Sequence, residues 1–190
     1  MERRKWQMRA SASKFETRES NEDLYIEGYF AVFNSIYTLW DGATESISPG
    51  AFSDTLGGDI RALIDHDTRL VLGRCKAGTL ELKEDAHGLW GRIRINQNDS
   101  DAMNLYERVK RGDLDQCSFG FNVLEEETEY PKEGEIHWTI KKVELFEVSV
   151  CTFPAYEETA VSARKKEYAD IAKRKKEAWM EKTRKKMKGE

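Results

Sequence analysis

No run in this chain approaches the roughly 18 consecutive apolar residues that a membrane-crossing helix needs. The basic start Met1-Glu2-Arg3-Arg4-Lys5-Trp6 has no apolar stretch behind it, so neither a membrane span nor a secretory leader is expected. Cysteine is scarce: Cys75, Cys117 and Cys151 are odd in number, widely spaced and without a paired metal-ligand signature. A reducing, intracellular compartment fits that pattern best. Histidine is limited to His66, His87 and His137, so imidazole chemistry has three candidates. No internal repeat is visible.

What is present is charge. The chain has 190 residues, 39% hydrophobic and 35% charged, enough for one domain of ordinary size plus an appendage. The net charge of −4 hides an asymmetry. From Arg164 onward there are 12 Lys/Arg and 5 Asp/Glu, a net +7; positions 1–163 carry the other 19 basic and 30 acidic residues, a net −11. An acidic body with a basic tail is a signal of partners, though not an address.

Positions 1–163 read as short strands. Leu24 to Phe33 is rich in Tyr, Phe, Ile and Val, and Ile60–Ile64, Leu70–Arg74, Thr79–Lys83 and Leu89–Ile95 follow between Gly- or Asp-bearing turns. Ser48-Pro49-Gly50-Ala51-Phe52 reads as a turn opening a short helix that ends near Gly57-Gly58. A better helix spans Ser100–Arg111, capped by Asp99 or Ser100, striped by Met103, Tyr106 and Val109, and stopped by Gly112. Two long strands, Asp115–Leu124 and Glu135–Thr152, flank an acidic segment, Glu125–Gly134, that reads as an exposed hairpin loop. From about Ala163 the composition shifts to Lys, Arg, Glu, Ala and Met with only a thin apolar stripe, the pattern of a charged helix that packs weakly or on a partner, or of a partly disordered segment. The expected organisation is therefore a domain over 1–163 and a basic helical tail over 164–190.

Three apolar segments each hold one polar residue competent for catalysis. In Cys117-Ser118-Phe119-Gly120-Phe121, strand alternation turns Ser118 and Gly120 away from the face of Cys117, Phe119 and Phe121. Cys117 is a rival nucleophile, but it points into the aromatic core, where a thiol stays protonated. His66 ends the run Ala62-Leu63-Ile64 between Asp65 and Asp67, and a neighbouring carboxylate can fix an imidazole tautomer. Glu147 sits in Leu145-Phe146-Glu147-Val148-Ser149-Val150 with apolar residues on both faces, so it is expected to be buried and to need a donor. Each has a plainer reading: a strand serine, a surface histidine, a carboxylate paired to a neighbouring Arg or Lys. Taken together, a serine, a histidine and a carboxylate are the parts of a nucleophilic serine hydrolase.

The order and local text of these blocks resemble the prohead (capsid maturation) protease family of tailed bacteriophages. The resemblance rests on Gly28-Tyr29-Phe30-Ala31-Val32-Phe33-Asn34, Ile47-Ser48-Pro49-Gly50-Ala51-Phe52, the His segment 64–67 with Leu72-Gly73, Ser118-Phe119-Gly120-Phe121, and Glu147 through Tyr156, and it covers roughly residues 24–164. Two local departures are Asp65, where Asn is expected beside the His, and Cys117, where Met is common before the Ser. The resemblance implies a mainly β fold with flanking helices (α+β), an assemblin-like β-barrel related to the herpesvirus proteases, plus the charged C-terminal helix. It implies a serine endopeptidase with Ser118 as nucleophile, His66 as general base and Glu147 as third member. His137 is the alternative third member, because the herpesvirus relatives use a second His there. No cofactor or metal is implied. The implied partners are the major capsid protein and its scaffold segment, with self-association and self-cleavage open, inside the procapsid in the host bacterial cytoplasm. Membrane and nucleic-acid partners are not expected. The competing readings are a non-catalytic assembly protein with a degenerate protease domain, and a nucleic-acid-binding role for the tail, which has no aromatic platform.

Overall fold

Eleven strands and one α-helix, with a single 3-10 turn at Cys75–Ala77, make up the body of the chain among the described residues. In this computed structural model the described residues are 7–12, 15–20, 23–153 and, nearer the C-terminus, 168–170, 173–174, 177, 180–181 and 184. The strands are β1 (Gln7–Ala12), β2 (Glu16–Ser20), β3 (Asp23–Val32), β4 (Tyr37–Trp40), β5 (Ala43–Ile47), β6 (Arg61–Ile64), β7 (Asp67–Arg74), β8 (Leu80–Glu84) and β9 (Gly88–Ile95). Helix α1 (Ser100–Arg111) follows, then β10 (Gln116–Glu129) and β11 (Ile136–Cys151). The chain divides into two compact units, Met1–Tyr156 and Glu157–Glu190. In the second, every described residue is helical; the rest of the expected tail helix lies outside the described residues.

The strands form two sheets. One has the order β1-β10-β11-β5-β4, with β6 also joined to β11 and β7 joined to β6; the other is β2-β3-β9-β8. Among the described residues the strands make these two sheets and no closed barrel is found, so what is seen of the expected fold is its mainly β character. Strand β11 pairs with β10 along one edge but forks on the other. Its first part, Ile136–Ile140, takes β5 in parallel, and Glu147–Val150 takes β6 in parallel. Between them the turns of residues 51–55 supply the missing partners: Val143 N–H donates to the Ala51 carbonyl and Leu145 N–H to Thr55 Oγ1. Buried backbone donors are thus satisfied without a continuous neighbour strand.

The segment 48–58 is a succession of tight turns in place of the expected short helix. Its bonds run three residues back, from Ala51 to Ser48, Ser53 to Gly50, Thr55 to Phe52 and Gly58 to Thr55. Gly50, at φ 90°, breaks any helical continuation. Helix α1 matches its sequence signals: the Asp99 carboxyl accepts from the N–H groups of Asp101 and Ala102, and Gly112 closes the end at φ 85°. Its buried face is Ala102, Leu105, Tyr106 and Val109, with Met103 half-buried. The acidic hairpin is shorter than expected, because β10 continues to Glu129 with exposed glutamates and pairs to His137.

One core cluster takes side chains from both sheets and from α1, including Ile26, Phe30, Leu89 and Ile93 with Phe119, Phe121, Val148 and Val150. Along β11 the core positions run Ile140, Val143, Leu145, Val148, Val150. The step from 145 to 148 breaks strict alternation. Gly120 faces Glu147 while Phe121 faces Leu145, so Phe146 is an extra residue, a β-bulge. That one residue turns Glu147 and Ser149 off the core face. On β10, Cys117, Phe119, Phe121 and Val123 keep the core, and Ser118 and Gly120 stand opposite Ser149 and Glu147.

Candidate active site

The site gathers where β6, β10 and β11 lie side by side. Strand β6 turns into β7 through two residues at positive φ, Asp65 at 46° and His66 at 60°, with Ile64 paired to Asp67. Left-handed backbone at both centre positions is the type I′ hairpin geometry that matches strand twist. Histidine in that region is uncommon and strained, so the turn needs an anchor. Asp65 provides it. Its carboxyl accepts from Thr152 N–H at 2.8 Å and Thr152 Oγ1 at 3.2 Å, and its own N–H donates to the Val150 carbonyl at 3.1 Å. An acceptor-only side chain suits two donors. The flanking acids are thus not the partners of His66, since Asp67 is taken by Arg69 at 2.7 Å.

The partner of His66 is Glu147. His66 Nδ1 lies 2.7 Å from Glu147 Oε1, and the carboxyl is 3% exposed. A carboxylate only accepts, so the shared proton sits on Nδ1, and in the neutral ring Nε2 is then the acceptor. Nε2 is buried and has no hydrogen-bond partner among the described residues. The second oxygen of Glu147 accepts from Ser149 Oγ at 2.6 Å, and Ser149 Oγ stands 3.4 Å from His66 Nδ1.

Ser118 lies directly across the β10–β11 ladder from Ser149 and is fully buried. Its hydroxyl donates to the Arg9 carbonyl of β1 at 2.9 Å. Strand β1 is tied down by a buried ion pair, with Arg9 Nε 2.5 Å from Glu45 Oε1 and Arg9 Nη2 2.9 Å from Glu45 Oε2. The structure therefore joins His66 to Glu147 and puts Ser118 on the same face, with its hydroxyl turned to β1.

The other candidates lie elsewhere. Cys117 is on the core side of β10, where its thiol donates to the Tyr29 carbonyl at 3.3 Å. Burial pushes the Cys151 thiol well up, so it stays protonated. His137 bonds Thr44 Oγ1 at 2.7 Å and Ser46 Oγ at 2.9 Å. It pairs with Glu129, 11 positions along β10 from Ser118, roughly 35 Å at about 3.3 Å per residue. His87 sits in the turn before β9, its ring edge-on to Tyr29. The sequence reading did not single out Ser149, the anchoring role of Asp65, or β1. Only Ser149 left a signal, as a second polar residue two positions from Glu147 in an apolar strand.

Residues 12–174 match the Caudovirus prohead serine protease family. The chain belongs to this family. The prohead protease of Enterobacteria phage HK97 is 33% identical over 144 residues, which are 74% of this chain and 60% of that protein. The chain thus spans about three-fifths of that relative's length. Among solved structures, the capsid assembly protease of bacteriophage T4 superposes with a TM-score of 0.51 at 12% identity, over 80% of this chain and 100% of that one. At that identity the likeness shows a shared fold, which as seen here is two sheets. The family match runs beyond the sequence resemblance at both ends, from residue 12 to residue 174.

Proposed function

We propose that this member of the prohead protease family is a serine endopeptidase with Ser118 as nucleophile, His66 as general base and Glu147 as the third member. The observation that carries the reading is the 2.7 Å His66–Glu147 contact, with Nε2 left buried and unpartnered, while Ser118 lies across the β10–β11 ladder on the face that carries Glu147 and Ser149. For reaction, the Ser118 hydroxyl turns from the Arg9 carbonyl to His66 Nε2, exchanging one hydrogen bond for another at a net cost of about 1 kcal/mol or less. His66 takes the proton as Ser118 Oγ attacks the scissile carbonyl, and Glu147 stabilises the imidazolium. The same proton then passes to the leaving amine, and water repeats the cycle on the acyl-enzyme. Backbone N–H groups supply the oxyanion contacts that such a step requires.

The substrates that fit are extension or scaffold segments of the major capsid protein, and segments of this chain itself, cut inside the procapsid in the host bacterial cytoplasm. The tail from Arg164, at net +7, would recruit the acidic body to that setting by a salt-screened attraction. A second reading, a non-catalytic assembly protein, is favoured by one observation: Ser118 is fully buried and its hydroxyl is already engaged. Co-expression with the cognate capsid protein separates the two. Processing by the wild-type chain and none by Ser118→Ala supports the protease; no processing by either supports the assembly role.

A further inference from the structure

We infer that Ser149 is a positioning residue of this site, holding Glu147 so that its other oxygen fixes His66 in the tautomer that leaves Nε2 free. The inference rests on the triad reading above and adds a residue to it. Ser149 is fully buried on β11, two residues past Glu147 and on the same face because the bulge at Phe146 precedes both. Its hydroxyl donates to Glu147 Oε2 at 2.6 Å while His66 Nδ1 engages Oε1 at 2.7 Å, so the two oxygens have separate, fixed duties. A carboxylate gripped at one oxygen cannot rotate away from the imidazole at the other. The contact is short, as expected for a hydroxyl donating to a charged acceptor.

Ser149 is not a second nucleophile in this arrangement. Its proton is directed to a carboxylate, and the nearest imidazole nitrogen, Nδ1 at 3.4 Å, is the one occupied by Glu147. Nor do other charges share its task. Around the pair, Asp65 is bonded to Thr152, Asp67 to Arg69, and Arg61, opposite Glu147 on β6, to Asp59. Cys151, next along β11, is a protonated thiol directed at the Ser149 carbonyl. Among the described residues, His66 and Ser149 are thus the donors to Glu147.

This arrangement predicts a kinetic signature beyond lost packing. The Ser149 hydroxyl also draws on the negative charge of the carboxylate it holds. Without it the carboxylate is less firmly placed, so the rate falls, but it carries more charge wherever it still meets the ring, so the acid limb of the rate profile moves up. The test is the rate of labelling of the full chain by an alkyl fluorophosphonate, measured across the pH range in which imidazole titrates. In that reaction Ser118 Oγ bonds to phosphorus, fluoride leaves, and His66 takes the hydroxyl proton. Ser149→Ala should slow labelling about ten-fold or more, shift the acid limb upward and keep a cooperative melt, while Ser149→Thr, which keeps the hydroxyl, recovers rate and limb. A wild-type rate and limb in Ser149→Ala would overturn the inference. So would a slow Ser149→Ala variant whose limb is unmoved and which Thr does not rescue. Labelling of Ser118→Ala at the wild-type rate is a different failure, because it sinks the triad reading itself.

Discussion

Replacing Glu147 by Gln perturbs the site with the least change of shape, and the structure gives its consequence in both rate and stability. The carboxyl has two converging donors, His66 Nδ1–H and Ser149 Oγ–H. An amide has one oxygen and one NH2. If its oxygen accepts from Ser149, the NH2 faces His66, and the ring must present Nδ1 as acceptor with the proton moved to Nε2. That tautomer cannot take a proton from Ser118. If the amide is turned over, Nδ1–H is kept and Ser149 reverses to accept, but the negative charge that stabilises the imidazolium is gone. Either way the expected loss is about 10³- to 10⁴-fold in kcat, the scale seen when a triad carboxylate becomes an amide, or roughly 4–5.5 kcal/mol of transition-state stabilisation. Both orientations keep two hydrogen bonds, so stability should fall by only about 1 kcal/mol. Glu147→Ala is the useful contrast. It strands two buried donors at about 1–3 kcal/mol each, a large share of the 5–15 kcal/mol typical of a domain. The assay is processing of co-expressed capsid protein by both variants, with urea melts of each. Gln activity within about ten-fold of wild type, with the fold intact, would refute the assignment of Glu147.

Four further outcomes follow from named contacts. Arg9→Met alone should cost about 3–5 kcal/mol, because it breaks a buried ion pair from one side, and Arg9→Met with Glu45→Leu should recover most of that in urea melts. Gly88→Ala should destabilise by roughly 1–3 kcal/mol or more, since a Cβ there would stand 2.0 Å from the Ala31 carbonyl oxygen, a backbone atom that cannot step aside. Hydrogen bonds from Arg69 and Arg74 hold the Asp67 and Asp59 carboxyls down to about 2. Their folded values lie below the unfolded ones, so their stabilisation is present above pH ~4 and lost as pH falls towards 2; both pairs lie at the solvent-facing surface with exposed arginines, so it should be small, and salt should flatten that part of a melting-temperature curve. Deleting residues 164–190 should leave a folded domain that still reacts with a fluorophosphonate but enters procapsids poorly, as judged by sedimentation of assembled shells.

How far the sequence shows this site depends on what each element uses to form. The Leu24–Phe33 strand, β9 and helix α1 carry apolar pattern and capping residues, local signals that survive in the fold. Strands β1, β2, β4 and β5 do not. Glu-Thr-Arg-Glu-Ser in β2 is polar and largely exposed, and it is a strand because β3 offers it a ladder. The burial of Glu147 is legible because apolar residues surround it on both faces. Its orientation is not, because strict alternation from Leu145 would carry it towards the core. The bulge at Phe146 that prevents this depends on the register with β10. In the same way Asp65 and Asp67 look like partners of His66 by proximity in sequence. The two-residue turn points their side chains at Thr152 and Arg69, and only the parallel pairing of β6 with β11 brings Glu147 within reach.

The central claim is that Ser118 is the nucleophile activated by the His66–Glu147 pair. Treating the full chain with an alkyl fluorophosphonate and locating the adduct by peptide mass spectrometry tests it most directly. A single adduct on the peptide bearing Ser118, absent from His66→Ala and much slowed in Glu147→Gln, is the result predicted. An adduct on Ser149 or another residue, or one on Ser118 that persists unchanged without His66, would contradict it.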